Sequence, residues 1–377
     1  MQERLAILGA STRAAAFSAV KAGIAPYAID LFADRDLAAM CPAVKIDRYP
    51  ADFPAALASA TPSPWIYTGG LENHPRLVDR LAAERPLLGN GGRVLRKVRD
   101  PARLAAVSTD AGCLFPEWRA APPVQSGNVW LLKPRRSSGG QSIRFAAPED
   151  YGRTLRATYW QEYVEGQSAS SVFIAAQGQA VLLGTSRQLT GRDFGLDRPF
   201  LYAGSIAPLE LPPNQTQRLT RLGNLLAGRF ELQGLFNVDF LANRDGLWVL
   251  EVNPRYSASV EILERLGGLS FVRLHVDACR HQSLPDEPRQ QVATFAGKAV
   301  VYARRASIVT GEFEALVSQW NRAGEPPGIA DLPRIGQHLA AGEPVATVLA
   351  GGKSAEEVEA ALRAQASAAQ ETLCPAV

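Results

Sequence analysis

Apolar and polar positions follow two different periods along this chain. Near the N-terminus, short apolar runs at Leu5–Leu8, Tyr27–Asp30 and Trp65–Tyr67 are separated by segments of helical period, such as Thr12–Lys21 and a helix starting at His74. Strands alternating with helices predict a parallel sheet. The loops Gly9-Ala-Ser-Thr-Arg13 and Gly69-Gly-Leu-Glu-Asn73 then fall at the carboxyl ends of strands, where open α/β sheets bind ligands. They are equally consistent with plain strand–helix turns, and the first lacks the GxGxxG spacing of a dinucleotide site. A helix is expected from Arg93 to about Ala120, with a break at Pro122-Pro123. After it come a strand, Trp130–Lys133, a small-residue loop, Ser137–Ser142, and a returning strand. Further on, β-type runs at Ala169–Ala176 and Ala180–Thr185 precede a helix, Asn214–Phe230. Past Pro285 short strands such as Ala299–Ala303 and Pro344–Leu349 lead to a helix at Ala355–Ala364, and the Ala/Gln-rich tail from Arg363 is expected to fray.

The most informative pattern is Phe236–Arg255, two apolar runs joined by Asn243-Arg-Asp-Gly246. The Asp-Gly turn predicts a β-hairpin. Alternation then puts Asn237, Asp239, Glu251 and Asn253 on one face, and Val238, Phe240, Leu250 and Val252 on the other. A turn centred near Asp245 sets Asp239 directly across from Glu251, where like charges repel. A hard cation relieves that repulsion, and Mg²⁺ is usually held by one or two carboxylates together with substrate phosphates. Two exposed acids on a surface hairpin would show the same pattern; Asn253 and the fixed cation Arg255 favour the metal–nucleotide reading.

Composition narrows the class. At 377 residues, with 46% hydrophobic and 20% charged residues, the chain has the make-up of an ordinary globular protein of two or three domains. A net charge of +3 and the lack of any basic run argue against nucleic acid as a partner. No apolar stretch reaches the roughly 20 residues of a membrane span, and the N-terminus lacks a signal-peptide pattern, so a cytoplasmic location is expected. Cys41, Cys113, Cys279 and Cys374 are dispersed and read as reduced thiols, while His74, His275, His281 and His338 are isolated. Lys97 and Lys133 stand out in a chain that favours arginine.

In their order, Lys97, Lys133 with its glycine-bearing loop, Gln161-Glu-Tyr-Val164 and the Asp239/Glu251/Asn253/Arg255 hairpin resemble the ATP-grasp superfamily, and the Gly9-Ala-Ser-Thr-Arg13 and Gly69-Gly-Leu-Glu-Asn73 loops with Tyr256-Ser-Ala-Ser259 resemble, within it, an uncharacterised group of carboxylate–amine ligases related to biotin carboxylase. The resemblance covers about 1–300, and Asp331-Leu-Pro-Arg-Ile and Gly342-Glu-Pro-Val-Ala-Thr-Val look like the small β subdomain of biotin carboxylases. It implies an α/β (α+β) ATP-grasp fold: an N-terminal parallel α/β domain (1–92), an ATP-grasp domain (93–284, mobile lid about 122–166) and a small C-terminal β-rich subdomain (285–377). It also implies that Lys97, Lys133 and the loop with Ser137, Ser138, Gly139 and Gly140 bind the phosphates of ATP. Gln161, Glu162, Tyr163 and Val164 would hold adenine, and Asp239, Glu251 and Asn253 one or two Mg²⁺ (or Mn²⁺). Arg255, Asn253 and Lys133 would act at the reacting centre, with Arg13, Glu72, Arg255, Ser257 and Glu261 towards the substrate. Glu261 reads equally as an acid in the first turn of a helix.

The function implied is an ADP-forming carbon–nitrogen ligase acting on a small-molecule carboxylate and an amine; a homodimer is compatible with it. Some members serve one-carbon cofactor biosynthesis involving tetrahydromethanopterin or methylofuran. Two alternatives stay open: a bicarbonate-dependent carboxylase and a non-catalytic ATP-binding protein. The chain departs from the family pattern at Gln167-Ser168, where many members carry a ribose-binding Glu, and at Ser259, where biotin carboxylases carry the acid used on bicarbonate.

Overall fold

The computed structural model describes residues 2–123, 127–151, 157–286, 294–323 and 326–375. Segments 124–126 and 152–156 of the expected lid, and 287–293 and 324–325 of the expected third domain, lie outside the described residues. The N-terminal part is a parallel sheet in the spatial order Ala43–Lys45, Ala25–Asp30, Arg4–Gly9, Trp65–Tyr67. Its central strand is buried on both faces: Leu5 and Ile7 pack into one apolar core, Ala6 and Leu8 into another. That two-sided burial explains why its sequence reads as an unbroken apolar run.

The expected helix from Arg93 is two helices, Gly92–Val98 and Pro101–Asp110. Pro101 cannot continue the first, and Asp100 caps the second by accepting from the backbone N–H of Ala102 at 3.0 Å. The next strands form a small antiparallel sheet in the order Trp118–Arg119, Thr158–Glu162, Trp130–Pro134, Arg144–Phe145.

An eight-stranded antiparallel sheet organises the rest, in the order Gly246–Asn253, Gly234–Asn243, Gln167–Ala176, Gln179–Thr190, Tyr202–Ala207, Phe295–Tyr302, Pro344–Gly352, Ile329–Ala330. Strands from beyond Pro285 thus extend the sheet that carries the hairpin. One face, with Phe173 stacked on Phe236 at 5.0 Å, packs on helix Pro213–Phe230. The other buries Val172 and Ile174 beside helices Val260–Gly267 and Phe271–His281. Along the strand the same face continues as Ser170 and Ser168, and there the helical cover ends and a cleft opens. The last helix, Ala355–Glu371, runs well past Arg363 because Ala366 and Ala369 are buried in a third core; the expected fraying is absent over the described residues. Among the described residues no helix is long and apolar enough to cross a membrane.

Candidate functional site

Asp239 and Glu251 face each other across the hairpin, flanked by the pair Asn237 and Asn253. A bulge makes this so. The tight turn pairs Asn243 with Gly246 and Phe240 with Val249, a register that would set Asp239 against Leu250. One extra residue between Val249 and Glu251 shifts the register, so that Glu251 stays on Asp239's face while Val249 fills the core. Leu250, expected among the core residues, instead lines the cleft as an apolar wall.

The electrostatics follow from the pairing. Burial, then the charge of Glu251, raises the Asp239 carboxyl above its ordinary value. Burial works the same way on Glu251, but Lys133, Asn253 and Arg99 more than offset it, so its net shift is downward. Among the described residues no group of three or more His, Cys, Asp and Glu side chains gathers as a metal site. The oxygen set here is instead the acid pair plus an amide. The Asn253 Nδ2 donates to Asp239 Oδ2 at 3.0 Å and to Glu251 Oε1 at 3.1 Å, so one oxygen of each acid converges on a single positive group. That notch, lined by two carboxylates and an amide that can turn its oxygen inward, fits a hard divalent cation.

The surrounding cleft has a volume of ≈ 770 Å³. Leu131, Ile143, Leu241 and Leu250 line it with Gln161–Gly166, and among the described residues the buried Gln161 Nε2 has no hydrogen-bond partner. Lys133 is 7% exposed and faces this space; burial disfavours its charge, but Tyr159, Glu251 and Asp239 raise its pKa overall. The Ser137–Gly140 loop also lines the cleft, and the Tyr202 N–H donates to Gly139 O at 2.9 Å. Gly140, at φ +71°, lies so close to the segment before Tyr202 that a Cβ would stand 1.9 Å from Phe200 O. Phe145, Tyr163 and Phe200 pack around the same seam, with Phe145 5.2 Å from each of the other rings.

The cleft lining also holds Arg255, Ser257, Ser259, Arg13, Lys298 and Asp331. Most of its charges are already engaged. Arg255 Nη2 donates to Glu72 Oε1 at 2.9 Å and to Asn253 Oδ1 at 3.1 Å, which ties the Gly69–Asn73 loop to the hairpin. Glu72 is 1% exposed, so the structure sets it behind Arg255 and away from the cleft lining. Arg13 Nη1 donates to Glu261 Oε1 at 2.5 Å, and Lys298 Nζ to Glu261 Oε2 at 3.0 Å. Arg13 Nε also donates to Asp331 Oδ1 at 2.8 Å. Among the described residues the Ser257 hydroxyl is buried without a partner.

Thus Lys133, Ser137–Gly140, Gln161–Val164, Asp239, Glu251, Asn253, Arg255, Ser257 and Arg13 share one cleft. Lys97 does not reach it: its Nζ donates to Glu231 Oε2 at 2.5 Å. Lys298, Asp331, Gln188 and Leu250 are cleft residues that sequence reasoning missed. The first two come from distant segments, and only Leu250 had a local signal, in the mismatch between a two-residue turn and facing acids.

The family model described as an ATP-grasp domain matches residues 98–259. An uncharacterised protein of Methanocaldococcus jannaschii is 21% identical over 70% of this chain, and the chain spans 63% of that relative's length. Among solved structures, an L-amino acid ligase from Bacillus licheniformis superposes with a TM-score of 0.70 at 14% identity, covering 99% of this chain and 98% of that one. N5-carboxyaminoimidazole synthetase from Staphylococcus aureus, complexed with ADP, gives 0.71 at 14% identity and 97% coverage of both. The segment matched as an ATP-grasp domain spans Lys133, the glycine-bearing loop and the acid hairpin, and the likeness of fold to these solved structures extends over nearly the whole chain.

Proposed function

We propose that the protein is an ADP-forming ligase that joins a small carboxylic acid to an amine. A carboxylate oxygen attacks the γ-phosphorus of ATP, giving an acylphosphate and ADP; the amine then attacks the acyl carbon and phosphate leaves, forming an amide. The observation that carries this reading is the single cleft that the facing acids Asp239 and Glu251 share with Lys133 and Arg255. Phosphoryl transfer depends mainly on positioning and charge neutralisation. The Lys133 ammonium and the N–H groups of the Ser137–Gly140 loop suit the phosphates, and the apolar wall with Gln161–Val164 suits adenine. Asp239 and Glu251 would hold Mg²⁺ or Mn²⁺, joined by Asn253 after a half-turn of its amide; the bound ion would neutralise charge on the phosphates. Arg255, held by Glu72, would orient the substrate carboxylate and stabilise the anionic acylphosphate, its bond to Asn253 Oδ1 being given up when that amide turns to the ion.

A carboxylic acid is favoured over bicarbonate by Ser259, which lines the cleft where biotin carboxylases place an acid. The M. jannaschii relative carries no assigned activity, and the structural neighbours include both an amino acid ligase and carboxylases. The deciding experiment is ADP release with Mg-ATP, screened against pools of carboxylic acids with amines and against bicarbonate alone. Stimulation by an acid–amine pool is expected; stimulation by bicarbonate alone would replace this reading with a carboxylase, and tight ATP binding without turnover would replace it with a nucleotide-binding protein.

A further inference from the structure

Asp239 is held by more than its hairpin. Its Oδ1 accepts from Asn237 Nδ2 at 2.8 Å and from Gln188 Nε2 at 3.0 Å, while Oδ2 accepts from Asn253 in the notch shared with Glu251. Gln188 belongs to strand Gln179–Thr190, which is separated from Asp239's strand by Gln167–Ala176. It can reach across because the intervening strand presents only Ser168 and Ser170 on that face. Ser168 does more than leave room. Its hydroxyl donates to Gln188 Oε1 at 2.8 Å, so the amide oxygen is occupied and Nε2 must turn towards Asp239.

We propose that Gln188, oriented by Ser168, is a positioning residue for the metal ion: by saturating Asp239 Oδ1 together with Asn237, it fixes the carboxylate rotor so that Oδ2 points into the notch. The inference rests on the metal–nucleotide reading of the cleft. Partners that orient a ligating carboxylate are worth about 10–100-fold in metal affinity. A merely structural role, stapling non-adjacent strands, would instead appear in thermal stability and in nucleotide binding without metal.

The test titrates Mn²⁺ into the full chain with saturating ADP, following free Mn²⁺ by electron paramagnetic resonance, alongside metal-free ADP binding and thermal melting. Gln188→Leu, close in size but without the amide, is expected to weaken Mn²⁺ binding about tenfold with metal-free ADP affinity unchanged. Ser168→Ala, which frees the amide to flip, is expected to weaken it by a smaller factor. Wild-type Mn²⁺ affinity retained in both variants, or a loss matched by metal-free ADP binding, would overturn the role of Gln188 and leave the metal site standing. A wild-type chain that binds no Mn²⁺ with ADP would overturn both.

Discussion

The Asp34 carboxyl is pushed up to about 8 by burial and by the charges of Asp331, Asp30 and Asp36. An unfolded Asp titrates near 3.8, so between these values the native chain holds a proton that the unfolded chain has lost. Stability from this group is therefore complete below its unfolded pKa and is lost as pH rises towards 8. Asp34 makes no side-chain cap to the helix that follows it, so Asp34→Asn should leave local bonding intact. We expect that variant to be about 1–3 kcal/mol more stable than wild type at pH 8 and unchanged at pH 4, read from urea unfolding at both. Single residues were legible in the sequence where a local rule governed them. Asp239, Glu251, Asn237 and Asn253 share a face because strand alternation demands it. Lys97 was not legible, because its partner Glu231 is distant in sequence and adjacent only in the fold.

At the scale of elements, the hairpin bulge and the glycine-bearing loop do most to shape the cleft. Deleting Leu250 removes the extra residue; regular pairing then still sets Asp239 against Glu251, but the apolar wall is gone. ADP affinity should fall roughly tenfold, the equivalent of one lost leucine contact, while dependence on Mn²⁺ persists. Calorimetry with and without metal checks both parts. Gly140→Ala adds a Cβ against Phe200 O and strain at φ +71°, so the loop should no longer seat on the segment before Tyr202. ATP binding should weaken at nearly unchanged thermal stability. The parallel sheet and the hairpin were readable from apolar period and turn residues. The bulge was not, since alternation assumes a regular ladder; the helix break at Asp100-Pro101 lies inside a window whose apolar period stays helical on both sides.

On the scale of the whole molecule, Glu261 ties the ends of the chain together. It accepts from Arg13 on the first helix and from Lys298 on a late strand, and Arg13 continues to Asp331. Burial opposes its charge, but Arg13 and Lys298 drive its pKa well below the usual carboxylate range, so this contribution is present above an unfolded Glu's value of 4.5 and fades as pH falls below it. Glu261→Gln takes the counter-charge from the buried Lys298 and leaves Arg13 to Asp331, and should cost about 3–5 kcal/mol in urea unfolding. Adding Lys298→Met should recover part of that loss, because the two changes share one network; strictly additive costs would contradict it. No local pattern announces this junction, since its members lie at opposite ends of the sequence. The central claim is that the facing acids serve ATP-driven ligation. Its most direct test is ADP release from wild type and Glu251→Gln under Mg-ATP with an acid–amine pool, folding being checked by circular dichroism. The account predicts release that requires both acid and amine and is lost in the folded variant; equal turnover by Glu251→Gln would contradict it.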